Sequence, residues 1–164
     1  MIEALIKLSD QNLDYARRLT ADLSDEQAVA QPPGVAGAMN HAVWVVGHLA
    51  FVSDVLLGVL GGESKAPAEW KDLFSMVSKP LGGAAYRGMT LAQLMEAWAA
   101  SRAEVQRRAR EKPAEFWRHA IENERRRARF GTNDVLLVHM LVNHDAVHLG
   151  QLSAWRRAHG LPSV

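Results

Sequence analysis

The stretch "AMNHAVWVVGHLAFVSDVLLGVLGG", residues 38–62, constrains the fold more than any other part of the chain. It is apolar nearly all round, and a helix of that kind is enclosed either by other helices or by lipid. His41, His48 and Asp54 interrupt it, and such groups are expensive at bilayer depth. The stretch therefore predicts a central core helix, capped by Asn40 and running to about Leu60, where Gly61 and Gly62 end it. Other helices must surround it.

Three further stretches supply them. Ile2, Leu5, Ile6, Leu13, Ala16, Leu19 and Leu23 recur at three- and four-residue spacing and mark a first helix with one buried face. Ser24 and Gln27 stand in capping-box positions, and "QPPG" at 31–34 stops the chain. Residues 61–89 hold seven glycine or proline breaks and read as a long connector, with a short helix around "AEWKDLFSMV". Thr90 and Gln93 repeat the capping-box spacing and open a third helix, faced by Leu91, Leu94, Met95, Trp98, Ala99 and Val105 and ending near Pro113. A polar, arginine-rich segment follows. Thr132 or Asn133 then caps a fourth helix that runs to about Ala158, stopped by Gly160 and Pro162.

Four long helices and no convincing alternating strand predict an all-α four-helix bundle within one domain, 1–164. The long connector between helices two and three allows those two to run parallel, in up-down-down-up order; plain up-down-up-down is the alternative.

Composition excludes several function classes. Nineteen Lys and Arg against 18 Asp and Glu give a net charge of +1, so no overall field favours nucleic acid or anionic membrane. With no cysteine there is no disulfide, zinc-thiolate site or cysteine nucleophile, which leaves His and carboxylates as strong metal ligands. The N-terminus "MIEALIKLSDQNLDYARRL" is charged too early for a signal peptide, and the expected location is cytoplasmic.

"LVNHDAVHLGQLSAWRRAHG", residues 141–160, places two histidines four positions apart. At about 100° per residue, His144 and His148 differ by roughly 40° and share one helix face, one turn apart. They are either half of a metal site or hydrogen-bonded core groups. His48 lies in the apolar "VVGHLAF", where Gly47 admits a neighbouring element and an unpartnered imidazole would be costly to bury. A divalent metal held by His48, His144 and His148 would give it a partner and leave one position open, as in catalytic sites.

The remaining polar residues carry less. His41, seven before His48, lines the approach to the site or serves as a cap. His139 is five before His144 and points elsewhere; His119 and His159 read as structural or exposed. Gln151, seven after His144, is placed to orient water, substrate or a ligand's second ring nitrogen. Asn12 stands where a leucine is expected and either caps the open side of the site or is a satisfied buried amide. Asp145 reads as a supporting or salt-bridging group, or as exposed. "ENERRRARFG" at 122–131 reads as a solvated connector or subunit contact, or as an anion-binding loop at the site mouth. Trp44, Trp98 and Trp155 read as core.

"GHLA" and "NHDAVHLGQL" resemble the H and H-x3-H-x-G-Q signatures of the DinB-like superfamily, a group that includes YfiT-type metal-dependent hydrolases and thiol-dependent S-transferases such as mycothiol-dependent maleylpyruvate isomerase. The resemblance implies a bundle with parallel middle helices, a divalent metal (Zn, Ni or Fe) on His48, His144 and His148, and a homodimer. It does not imply one reaction; the leading reading by resemblance is transfer of a low-molecular-weight thiol such as mycothiol, bacillithiol or glutathione to an electrophilic small molecule. Metal-dependent hydrolysis and a non-catalytic metal- or ligand-binding stress protein stand as alternatives.

Overall fold

The computed structural model describes residues 2–164. Along the chain the helices are α1 (Ile2–Thr20), α2 (Ala42–Val59), a short α3 (Trp70–Phe74), α4 (Leu91–Glu111), two short helices α5 (Ala114–Arg118) and α6 (Glu124–Phe130), α7 (Asn133–Val138) and α8 (His144–Ala158). A π-helical turn at His139–Asn143 joins the last two into one rod. Among the described residues there is no strand, only an isolated bridge between Ala120 and Thr132.

Local chemistry explains the boundaries. Thr90 and Gln93 form the expected reciprocal capping box at the start of α4, and Ser24 and Gln27 exchange the same two bonds before a 3-10 turn at Gln27–Val29. Gly61 and Gly160 take positive φ just beyond α2 and α8, which a side chain would resist. One cap differs from expectation. His41, not Asn40, opens α2: its Nδ1 accepts the Trp44 backbone N–H, while Asn40 reaches across to Gln151. The arginine-rich segment also differs from a plain connector, since it folds into α5 and α6.

The registers of the long helices fix their directions. Arg110 pairs with Glu3 and Gln106 donates to Asp10, so α4 runs antiparallel to α1. Asn12 donates to Val142 O and Arg156 to Leu19 O, so the α7–α8 rod runs parallel to α1. Residues 42–50 of α2 share an apolar cluster with Leu91, Leu94 and Trp98, and Leu56, Leu57 and Leu60 share another with Val105 and Ala109, so α2 and α4 are parallel. The order is up-down-down-up.

Of the 18 residues of α2, 13 are buried, which makes it the central helix that its composition demands. It is long and apolar enough to cross a membrane, but the bundle covers its surface instead. Each fully enclosed Val or Leu contributes about 1.5–3 kcal/mol. The two apolar clusters do not merge. Between them lies a polar layer: Ser9 on α1 between Leu5 and Leu13, Arg102 on α4 between Trp98 and Val105, and His144 with Asp145 on the rod between Leu141 and Leu149.

Candidate metal centre

Three histidines converge beside that polar layer. The ligand-capable ring nitrogens of His48, His144 and His148 lie within 4.8 Å of one another. His48 Nε2 and His144 Nε2 are 3.2 Å apart. Two nitrogens bound tetrahedrally at Zn–N lengths of about 2.0–2.1 Å are separated by about 3.3 Å, so this spacing suits a shared ion.

The hydrogen bonds on the far sides of two rings leave the inner nitrogens free to ligate. His48 Nδ1–H donates to the Phe74 carbonyl at 2.7 Å, which leaves Nε2 as a lone pair aimed at His144. His148 Nδ1–H donates to Gln151 Oε1 at 3.0 Å, and the same oxygen accepts from Asn40 Nδ2 at 3.0 Å. His148 Nε2 is thereby free. His144 Nδ1 is buried with no partner among the described residues. At 3.2 Å a proton on His144 Nε2 makes this contact a hydrogen bond to the His48 Nε2 lone pair, and a cation bound between the rings would take that proton's place with His144 protonated on Nδ1 instead.

Burial keeps all three rings neutral. It is the main cause that lowers His144 to about 3 and His148 to about 4, with the neighbouring imidazoles adding to the shift, and it lowers His48 against the opposing pull of the Phe74 carbonyl. Neutral imidazole is the ligating form, so no proton need be displaced from these rings at neutral pH.

Local structure positions each ligand. Gly47 has no side chain, and a Cβ there would overlap the Phe74 ring; its absence lets α3 settle on α2 with its carbonyl against His48. Trp44 stacks on the His48 ring at 4.9 Å between centroids and 5° between planes, walling one side of the site. Its indole Nε1 donates to Ser78 Oγ.

Other expectations resolve differently. Asp145 is not exposed. It is fully buried and accepts two bonds of 2.9 Å from Arg102 Nη2, itself 3% exposed. Burial raises the Asp145 carboxyl to about 6 against the pull of Arg102. Arg102 was not expected from the sequence; a lone arginine on the third helix's inner stripe was its only signal. His41 does not line the site, because both ring nitrogens are engaged at the α2 cap, Nδ1 with Trp44 N–H and Nε2–H with the Leu81 carbonyl at 3.0 Å. Asn12 does not cap an open side: its amide donates to Val142 O in the π turn at 3.2 Å. Gln151 reaches the second ring nitrogen of His148, Nδ1, with its Oε1.

His139 also departs from expectation. Five residues would rotate it well away from His144 on an α-helix, but the π turn closes with a bond from His144 N–H to His139 O and brings the two rings to 5.9 Å. Burial and the nearby Arg129 hold His139 below its usual value. It lines a cavity of about 400 Å³ that opens on His48 and His144.

Among the described residues no further His or carboxylate joins the set, which leaves at least one coordination position open. No curated protein matches the chain. The sequence pattern of the DinB superfamily matches residues 9–152, a span that includes all three histidines. With its helical bundle and a histidine triad able to hold a divalent ion, the chain belongs to the DinB superfamily.

Proposed function

We propose that this protein is a metal-dependent enzyme that transfers a low-molecular-weight thiol to an electrophilic small molecule. One observation carries the choice of thiol: no carboxylate lines the cavity beside the triad. A divalent ion on His48, His144 and His148 supplies a Lewis acid that lowers the pKa of an incoming thiol or water. A thiol, with an ordinary pKa of about 8.5, needs only a small shift and no general base, whereas water starts near 15.7. In the transfer the thiol's S–H bond gives way to S–C, and the electrophile's leaving group departs with the proton. The chain contributes no cysteine, so the sulfur comes from outside.

The residues divide the work. His48, His144 and His148 would hold the ion, the Phe74 carbonyl and Gln151 aim two of the three rings, and Phe51, Val55 and Leu56 of α2 give the adjoining cavity an apolar wall. A second reading, hydrolysis, draws support from His139: a neutral imidazole in the cavity, with its ring 5.9 Å from that of His144, is a base for water. The expectations of a cytoplasmic location and a homodimer belong to the same proposal, and light scattering of the purified protein tests the second.

The first experiment is metal content by plasma mass spectrometry, on protein purified without a polyhistidine tag, beside a His144→Ala variant. Near-stoichiometric metal in the parent and its loss in the variant support the site. Metal-loaded protein is then supplied with glutathione, bacillithiol or mycothiol and 1-chloro-2,4-dinitrobenzene, and separately with ester and amide substrates. Turnover of esters alone moves the assignment to hydrolase, and inactivity throughout moves it to a binding protein.

A further inference from the structure

The cavity beside the triad is cationic on one side and apolar on the other. Phe51, Val55 and Leu56 of α2 form part of its apolar wall, and Arg125, Arg126 and Arg129 of α6 line it with no carboxylate among them. Several other arginines are ion-paired: Arg102 with Asp145, Arg110 with Glu3, Arg156 with Asp22. None of the three on α6 enters an ion pair among the described residues. The fourth arginine of the run, Arg127, is used differently, donating to the Ile121 carbonyl.

α6 buries no residue fully; its half-buried Phe130 packs against the His139 ring and anchors the helix over the cavity, where its arginines line the wall. Three arginines line this cavity with no anionic side chain in its wall, Arg129 with its guanidinium over the Phe130 ring, and a bound oxyanion would supply the missing counter-charge. Guanidinium forks match the geometry of carboxylate and phosphate oxygens. A volume of about 400 Å³ suits a small molecule.

We propose that this cavity binds a small oxyanion, a carboxylate or phosphate on a short apolar body, with Arg125, Arg126 and Arg129 holding the charged end and the α2 wall enclosing the rest. The inference rests on the proposed enzymatic reading in one respect, that the bound molecule is the electrophile presented to the triad. Recognition itself does not require the ion.

The test is isothermal titration of the full chain, both chelator-treated and zinc-loaded, with 3-phenylpropionate, phenyl phosphate and the neutral 3-phenylpropanol. At low salt at least one of the two anions is expected to bind about tenfold tighter than the alcohol in both preparations. The R125Q/R126Q/R129Q variant is expected to lose that preference with unchanged circular dichroism and melting temperature, and the corresponding triple lysine variant to keep part of it. Equal affinities, no binding of either anion, or a preference that survives the glutamine variant overturns the proposal. So does a preference confined to the zinc-loaded protein, which would put the anion on the ion. Because the metal-free titration can be read whether or not the triad binds metal, failure here is distinguishable from failure of the enzymatic reading.

Discussion

The Phe74 carbonyl oxygen lies 2.7 Å from His48 Nδ1, and the ring of the same phenylalanine occupies the space above Gly47, one residue before that histidine. A single residue of α3 thus both fills a notch in α2 and sets the direction of a ligand.

Gly47→Ala is therefore expected to act at a distance from the ion. The added methyl displaces the Phe74 ring, the carbonyl follows, and His48 loses its fixed tautomer. Stability should fall by about 1–3 kcal/mol, and zinc affinity by roughly 10–100-fold. Gly58→Ala, on the same helix with open space around it, serves as the control and should gain about 0.5–1 kcal/mol. A chelator-competition titration and a thermal melt of each variant give both numbers; unchanged zinc affinity in Gly47→Ala refutes the coupling.

Gln151→Leu should weaken zinc binding by about tenfold, since it removes the acceptor that holds His148 Nδ1–H while leaving the ligating nitrogen in place. Gln151 is exposed, so folding stability should change little. The outcome to look for is affinity lost without a matching loss in melting temperature.

Acid should destabilise the metal-free protein, beginning below about pH 6.5. His48, His144 and His148, and His41 at the α2 cap, all have folded values below 6.5. As pH falls through 6.5 the unfolded chain takes up protons that these buried rings refuse, so the unfolded state gains and stability declines until the folded values are reached, about 4 for His148 and about 3 for His144. Asp145 works in the opposite sense. Its folded value of about 6 exceeds the ordinary 3.8, so it adds stability between those two pH values. Four histidines outweigh one carboxyl. Guanidinium denaturation in the presence of chelator, from pH 7.5 to 4.5, should show a falling midpoint; a flat or rising profile contradicts this balance.

The Arg102–Asp145 pair predicts a non-additive result. Asp145→Leu or Arg102→Leu alone strands a buried partner and should lose about 3–5 kcal/mol, while the double replacement Arg102→Leu with Asp145→Leu should recover much of that. Urea denaturation of the four proteins closes the cycle, and simple addition of the two single effects argues against a coupled pair.

The bundle was legible because its signals are periodic and local: the stripe of α1, the all-round apolarity of α2 and the Thr90 capping box each depend on residues a few positions apart. His48, His144 and His148 could be grouped on the same basis, two by helical spacing and one by the expense of burying it alone. What escaped depends on contacts between distant segments. Nothing near His41 announces the Leu81 carbonyl, and nothing near Asp145 announces Arg102. Asp145 did leave a local trace. Leu137, Leu141, Asp145 and Leu149 are all buried at steps of four, a longer period than the 3.6 of an α-helix, and continuing that stripe would have placed Asp145 inside.

The same excess of period governs how the fourth helix is indexed. Three steps of four cover 12 residues where three α-turns take about 10.8, and the wider turn at His139–Asn143 absorbs the surplus. Upstream and downstream halves of the rod are offset like two gears set one tooth apart: Leu136, His139 and Met140 face the cavity while His144 and His148 converge on His48. Deleting any one residue of the turn would restore an unbroken α-helix and swing the halves about 100° out of mesh. Length within those five residues, more than their identity, is what keeps the cavity aligned with the three histidines.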